Sequence, residues 1–456
     1  MRVSIIGAGY VGLVSGACFA EMGHDVACVD IDDAKVAQIN AGRSPLHEAG
    51  LEELIRRNIG RTLRATQDLH EAVVESDLTI IAVPTPFDPV SAAIDLKFVV
   101  AAAEQVGRAL AVKDAYHVVV VKSTVVPGTT DTVVKSAIER ASGKQVGRDI
   151  GLGVCPEFLS EGTAVNDFMK SDRIVLGGDD AETLGALVKL HQPFENVPTL
   201  HVNCRTAEMI KYASNAFLAT CISFANELAG LCSALGGLDM TDVTRGMIAS
   251  RYLRNGASGT APIAGFLSAG CGFGGSCLPK DVAALAAHGR AHGVSMPLLD
   301  SVLSVNRGQA LRTVELLRRH VPDLRGKVIA VLGTAFKPET ADLRTSPAEP
   351  IIELLKRGGA IVRTHDPAAN EDTRRQFGNT IDVCDRIEDA IDGAAGIIVV
   401  TAWKQFGVLP SLIAHLSNPP AVVDGRRMFN PSDFAIYEGI GRSEPQVDLA
   451  EQGAGR

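Results

Sequence analysis

Arg2-Val3-Ser4-Ile5-Ile6-Gly7-Ala8-Gly9-Tyr10-Val11-Gly12 is the stretch that decides the fold. An apolar run stops at a glycine, and glycines then recur at Gly9 and Gly12 before an apolar stretch with helical spacing. The first glycine permits a tight turn, the second lets backbone approach a pyrophosphate, and the third lets a helix pack closely on a strand. Amides at the helix start would face the phosphates. Asp30 closes the next apolar run, Asp25–Val29, 18 residues past Gly12. An acid there takes the adenosine ribose hydroxyls and repels a 2′-phosphate, favouring NAD over NADP. A glycine-rich turn that binds nothing is the plain alternative, and FAD a weaker one. The order of strand, glycines, helix and acid weighs against both.

Further apolar runs at Leu78–Val83, His117–Val121 and Ile150–Val154 alternate with helical patterns up to about residue 200. That alternation predicts a parallel, doubly wound sheet. From about Cys204 to Gly308 long amphipathic stretches follow one another without a convincing strand, interrupted by a glycine-rich segment at 255–276. Alternation resumes at Gly326, with strand-like Lys327–Leu332, Ile361–Thr364, Gly396–Thr401 and Ala421–Val423, and helical Pro347–Arg357. The expected fold is therefore α/β, with two Rossmann-like doubly wound domains (1–200 and 316–442) joined by a central helical domain (201–315). The polar tail 443–456 is expected to be disordered.

The 456 residues carry a formal charge of −9, which argues against nucleic acid as a partner while leaving room for one locally positive pocket. Nine scattered cysteines without C-x-x-C spacing read as reduced thiols, not a disulfide framework or a zinc site, and point to the cytoplasm. No run approaches 18 consecutive apolar residues, and Met1–Gly7 reads as a strand, not a signal peptide, so no membrane partner is expected.

Three further segments carry chemistry. In Gly272-Phe273-Gly274-Gly275-Ser276-Cys277-Leu278-Pro279-Lys280-Asp281, a thiol follows a glycine run, with a cation and a carboxylate one turn on. A nearby ammonium and helix-start amides would favour a reactive thiolate, and a merely buried cysteine is the alternative. In Glu208-Met209-Ile210-Lys211-Tyr212-Ala213-Ser214-Asn215, Lys211 and Asn215 share a helix face and could reach one oxygen. A solvated face with a Glu208–Lys211 pair is the bland reading of that segment. Pro156–Gly162, Lys122-Ser123-Thr124 and Pro84-Thr85-Pro86 each end a strand, where α/β sheets place ligands.

Taken together, G-A-G-Y-V-G, V-P-T-P, K-S-T-V-x-P-G-T, P-E-F-L-x-E-G, E-M-I-K-Y-x-x-N, G-F-G-G-S-C-x-P-K-D, F-K-P-x-T-x-D-x-R-x-S-P and D-G-R closely resemble the UDP-glucose/GDP-mannose dehydrogenase family, in order, from Arg2 to about Phe429. The resemblance implies a four-electron oxidation of a nucleotide sugar's C6 alcohol by two NAD, with a thiohemiacetal and then a thioester on Cys277. By the same resemblance Lys211, Asn215 and Asp281 stabilise oxyanions and organise water, and Glu157 and Thr124 serve base and water activation. Cofactor positions would be Gly7, Gly9, Val11, Gly12, Asp30, Lys35, Thr85, Thr124, Glu161, Lys280 and Arg344. Substrate positions would be Glu157, Phe158, Leu159, Ser160, Lys211, Asn215, the loop Phe266, Leu267, Ser268, Ala269, Gly270, then Gly274, Lys337 and Arg426. No metal is implied. The family dimerises through its central helix, so a homodimer or larger homo-oligomer is expected, with the active site between domains.

Some features depart from the glucose-type pattern. The loop from Arg251 to Gly265 is long and carries its arginines, Arg251 and Arg254, early. Cys221 stands where a cation is frequent, and Cys271 adds a thiol that could pair oxidatively with Cys277. The segments Asn215–Thr220 and Asp424-Gly425-Arg426-Arg427 favour a UDP-hexose, UDP-glucose first. A UDP-N-acetylhexosamine, GDP-mannose or a dTDP-sugar stays open, as do a two-electron hydroxyacid-type dehydrogenase and a non-catalytic nucleotide-sugar sensor.

Overall fold

The computed structural model describes residues 1–88, 93–255 and 259–443. The backbone separates into two compact units, Met1–Ser214 with Ala287–His292, and Asn215–Ala286 with the rest of the described chain from Gly293.

The first unit is built on strands β1 (Arg2–Ile6), β2 (Asp25–Val29), β3 (Leu63–Thr66) and β4 (Leu78–Ile81), a small antiparallel hairpin β5 (Phe87–Asp88) and β6 (Ala93–Ile94), then β7 (His117–Val121), β8 (Ile150–Val154), β9 (Ile174–Gly178) and β10 (Thr199–Val202). Its main sheet runs β10-β9-β8-β7-β4-β1-β2-β3. Six of these strands, β3-β2-β1-β4-β7-β8, form the dinucleotide-binding order, with the switch between β1 and β4. Successive residues serve opposite faces: Ile5 and Cys28 enter one core, Ile6 and Val29 the other. Both faces are covered, so these strands read as continuous apolar runs rather than alternations. The sheet is not wholly parallel as the sequence predicts. β9 meets β8 antiparallel through Gly153↔Gly178 and Val154↔Gly177. Strands β3, β9 and β10 escape the sequence reading because β3 is only half buried, β9 ends in glycines and β10 is an exposed edge.

The second unit contains β11 (Arg254–Asn255) and β12 (Gly259–Thr260), a short pairing where no strand is expected. It also holds β13 (Val328–Leu332), β14 (Ile361–His365), β15 (Asp382–Val383), β16 (Gly396–Val399), β17 (Ala421–Asp424) and β18 (Tyr437–Gly439). The order β15-β14-β13-β16-β17-β18, all parallel, repeats the first sheet's logic. Helix Pro297–Arg318 sends Val314 and Leu317 into the same core as Ile329, Val331 and Val423.

Helix Cys204–Leu235 starts in the first unit and continues into the second. With a best 18-residue mean hydropathy of 1.4, it is long and apolar enough to cross a membrane by length and composition alone, although polar residues interrupt it well short of 18 consecutive apolar positions. Its buried Glu208, Lys211, Asn215 and Asn226 all have polar partners inside the protein, and Ala225, Ala229 and Cys232 pack in a core. Of the tail expected to be disordered, Ser443 is bonded through its hydroxyl to the Cys232 carbonyl at 2.8 Å, and residues 444–456 lie outside those described.

Candidate active site

Because β1, β2, β4, β7 and β8 run parallel, their C-terminal ends share one edge of the first sheet. The glycine turn follows β1. Gly7 has φ +100°, and a Cβ on Gly12 would fall 1.8 Å from the Gly7 carbonyl oxygen, so neither position admits a side chain. A Cβ on Gly9 would meet nothing within 4 Å, and Gly9 caps helix Tyr10–Glu21 without a side-chain hydrogen bond. The turn therefore leaves open space in front of uncapped first-turn amides, which suits a pyrophosphate. Asp30, past β2, accepts from the Ala8 amide at 2.9 Å and pairs with Lys35 at 3.0 Å. The acid and the turn are thus one rigid piece, and Lys35 is the partner that holds the acid in place. Half-buried Val11, Thr85, Thr124 and Glu161 lie in the first helical turn and past β4, β7 and β8. These residues fit NAD.

Glu157 follows β8 and is paired with Lys211 at 2.9 Å, both side chains only 6% exposed. Burial alone would raise Glu157, but the Lys211 ammonium, the Leu159 amide at 2.7 Å and Lys122 more than offset it and hold the carboxyl below its usual range. The Lys211 ammonium also lies 5.6 Å over the Phe158 ring, which Arg173 covers from 4.0 Å. Ser160 is exposed, its amide donating to Asp167 at 3.0 Å. The bland reading of the Glu208 segment is overturned. Glu208 is 2% exposed and turns away from solvent to accept from the Gly128 and Thr130 amides at 2.6 and 2.9 Å, which frees Lys211 for Glu157. Burial pushes Glu208 up to about 7.

In the second unit the thiol segment is drawn together by hydrogen bonds. Cys277 is exposed, and its carbonyl accepts from the Asp281 amide at 2.8 Å, which places it at the cap of helix Leu278–Ala291. Asp281 is 1% exposed and receives the Asn215 amide and the Lys280 ammonium, each at 2.6 Å. The glycine run fits where only glycine can. A Cβ on Gly274 would sit 2.3 Å from the Thr345 carbonyl oxygen, and one on Gly275 would strike the Phe336 ring at 2.8 Å. The Gly275 amide donates to the Arg344 carbonyl at 3.0 Å, and the Thr345 hydroxyl donates back to the Gly275 carbonyl at 2.8 Å. Lys337, next to Phe336, lies 5.7 Å over that ring. Arg344 binds Asp342 through its guanidinium. On the Phe266–Gly270 loop, Leu267, Ala269 and Gly270 are buried while Ser268 is exposed, and the Gly270 amide donates to Asn226 at 2.7 Å.

Arg426 donates to the Val400 carbonyl at 2.6 Å and the Gly272 carbonyl at 3.0 Å, so it braces the glycine run from below. Cys271 is 1% exposed with its sulfur on the Val400 carbonyl, away from solvent, whereas Cys277 is exposed; the oxidative Cys271–Cys277 pairing has no support in this arrangement. Sequence reasoning missed several organising residues. Glu48 accepts from Tyr10 and from the Gly162 and Ala164 amides at 2.7 and 2.8 Å, fixing the loop after β8. Lys122, 5% exposed, lies 3.9 Å from the Cys155 sulfur, which His191 meets at 3.5 Å. Although burial opposes it, these two neighbours bring the Cys155 thiol down to about 6. Neither Glu48 nor His191 lies in a periodic or glycine-rich segment that would have marked it.

A dinucleotide-binding sheet, a carboxylate–ammonium pair at its ligand edge and an exposed helix-capping cysteine define the class, an NAD-dependent dehydrogenase. The chain matches the UDP-glucose/GDP-mannose dehydrogenase family in three successive parts: the NAD binding domain over residues 1–195, the central domain over 205–308 and the UDP binding domain over 330–431. It is 44% identical to a UDP-glucose 6-dehydrogenase of Haloferax volcanii over 96% of this chain and 100% of that one. It is 40% identical to one of Pseudomonas aeruginosa, over 97% and 98%. A UDP-glucose dehydrogenase structure from Pyrobaculum islandicum superposes with a TM-score of 0.89 at 38% identity, covering 97% of this chain and 98% of that one. The chain belongs to the UDP-glucose/GDP-mannose dehydrogenase family, with NAD as its cofactor.

Proposed function

We propose that the protein oxidises the C6 alcohol of UDP-glucose to the carboxylate of UDP-glucuronate in two two-electron steps. The observation that carries this reading is the exposed Cys277 at a helix start, one turn before a buried Asp281 that holds Asn215 and Lys280. NAD supplies the hydride acceptor in each oxidation. A thiolate at a helix N-terminus is stabilised by the first-turn amides and adds to the C6 aldehyde. The thiohemiacetal loses its hydride to become a thioester, and water then releases the acid and regenerates the thiol. Asn215 has a second amide proton beyond the one given to Asp281, and with Lys211 one turn earlier on the same helix it suits a developing oxyanion. Glu157, held ionised by Lys211, suits the proton-accepting role, with Thr124 ordering water. Lys280 and Arg344 are assigned to the cofactor and Phe158–Ser160, Phe266–Gly270, Gly274, Lys337 and Arg426 to the substrate, the last through the turn it braces.

The functional division follows as 1–200 for NAD, 201–315 for dimerisation and 316–442 for the nucleotide sugar. A homodimer is supported by apolar side chains along one seam of helix Cys204–Leu235: Phe217, Phe224, Leu231 and Leu235 are 59, 46, 55 and 60% exposed at spacings of seven and four. Nine scattered cysteines without C-x-x-C spacing, one of them the exposed Cys277, support a reducing, cytoplasmic setting, and the reaction supports a role in supplying uronate units for polysaccharides. The test is stoichiometry: with UDP-glucose, two NADH should form per UDP-glucuronate released, and Cys277→Ala should release no acid. One NADH per turnover, or acid release by the alanine variant at the parent rate, would sink the reading.

A further inference from the structure

The buried part of the glycine run ends at Gly275, and Ser276 alone separates it from the exposed Cys277. On its other side Cys277 is tied through its carbonyl to the start of helix Leu278–Ala291. The aim of the thiol is therefore set by whatever fixes Gly275. Two hydrogen bonds do so, and both reach it from one loop. The Gly275 amide donates to the Arg344 carbonyl at 3.0 Å, and the Thr345 hydroxyl donates to the Gly275 carbonyl at 2.8 Å.

Thr345 makes its bond from a strained backbone. Among the described residues four that are not glycine have positive φ. Two of them, Glu339 at +63° and Thr345 at +50°, bracket the turn that carries Asp342 and Arg344. Thr345 is the β-branched residue of the four, and a β-branched side chain in the left-handed region is an outlier. Glycine would sit there without strain. Packing does not call for threonine, because the residue is exposed and its one side-chain hydrogen bond among the described residues is the one to Gly275. The neighbours hold the strained turn in place. The Ser346 amide donates to the Leu343 carbonyl at 3.0 Å, and the hydroxyl of buried Ser346 accepts from the Ala348 amide at 3.2 Å. The Thr345 carbonyl lies against Gly274, where no Cβ fits. Strain over-determined in this way beside a reactive group marks pre-organisation.

We propose that Thr345 is a positioning residue for Cys277, its hydroxyl fixing Gly275 so that the thiol stays at the start of helix Leu278–Ala291. First-turn amides there favour the thiolate, so a turn released from Gly275 presents a less reactive sulfur. The position is an open one in the F-K-P-x-T-x-D-x-R-x-S-P pattern, so the pattern itself assigns it no role. The link to turnover rests on Cys277 being the nucleophile of the proposed reaction; the effect on the thiol does not.

The rate at which iodoacetamide alkylates Cys277 in the full-length protein at neutral pH, read from the mass of the Cys277 peptide, tests this directly. Thr345→Val keeps the shape without the donor, and Thr345→Gly removes both donor and strain. Both are expected to slow alkylation at least threefold, while Thr345→Ser, which keeps the hydroxyl, stays within twofold of the parent. Thr345→Gly should also unfold at a higher urea concentration than Thr345→Val, because it alone relieves the backbone. An equal or lower midpoint overturns the strain argument. In steady state with UDP-glucose, the valine and glycine variants should lower kcat at least fivefold with KM for NAD within twofold, and the serine variant should restore kcat. Parent-like alkylation in the valine and glycine variants overturns the proposal, as does a loss that serine fails to rescue. Slowed alkylation with an unchanged kcat overturns the link to turnover. If Thr345→Val does not fold, Thr345→Gly against Thr345→Ser decides. If the parent does not oxidise UDP-glucose at all, the proposed function fails while the alkylation rates still decide what Thr345 does.

Discussion

At the residue scale, the pair Glu157–Lys211 shows how burial turns an ordinary interaction into a constraint. Both side chains are 6% exposed and 2.9 Å apart. Removing one partner of such a pair leaves a buried charge and costs ~3–5 kcal/mol, whereas replacing both by apolar groups is often neutral. Lys211→Met is therefore expected to lower the urea unfolding free energy by ~3–5 kcal/mol, and the double variant with Glu157→Met to recover most of it. Additive losses in that cycle would mean the two side chains do not depend on each other. The sequence placed Lys211 on a helix and Glu157 after a strand, but their spacing of 54 positions contains nothing that pairs them. Local spacing favoured Glu208 as the partner, and the structure buries Glu208 under the Gly128 turn instead.

At the scale of elements, the glycine turn and the central helix were legible because their information is local. Strand, turn and helix are specified by contiguous residues, and the clash of a Gly12 Cβ with the Gly7 carbonyl is a contact over five residues. Gly12→Ala is expected to destabilise the first unit and abolish NAD binding. Gly9→Ala, with nothing near its Cβ, should leave the unfolding midpoint unchanged and weaken NAD at least tenfold by fluorescence titration, because only the ligand needs that space. An equal loss of stability in both variants would contradict this division. The exposed seam on helix Cys204–Leu235 carries its own prediction. Phe217→Glu with Phe224→Glu should convert a dimer to a monomer in sedimentation equilibrium, since like charges would face one another across a two-fold contact. An unaltered mass would move the interface elsewhere. Edge strands were less legible: β10 is exposed and β3 half buried, so neither shows the continuous apolar run of β1, β4 or β7.

At the scale of the whole molecule, stability against pH joins groups that no motif connects. His117, 1% exposed, bonds Thr79 at 2.8 Å and Lys113 at 2.9 Å, and burial lowers it to about 3. Its unfolded value is about 6.5, so its contribution is present above that pH and is lost as pH falls toward 3. Glu208 has the opposite sign. Burial raises it to about 7, so its contribution is full below about 4.5 and is lost as pH rises through 7. Between about pH 4.5 and 6.5 the two slopes oppose, each near 1.4 kcal/mol per pH unit. His117→Asn should therefore make the protein relatively more stable at pH 5 than at pH 7, and Glu208→Gln relatively less, in urea unfolding at the two pH values. Slopes of the same sign in both variants would refute the pairing. The sequence by itself determined the two Rossmann-like sheets, the cofactor turn with Asp30 and the cysteine at a helix start, because each is written in residues adjacent along the chain. Only tertiary structure decided that β9 turns antiparallel, that Lys211 serves Glu157, that Asp281 holds Asn215, and that Asn226 holds Gly270. Those depend on which distant side chains are buried together, and burial is a property of the folded chain.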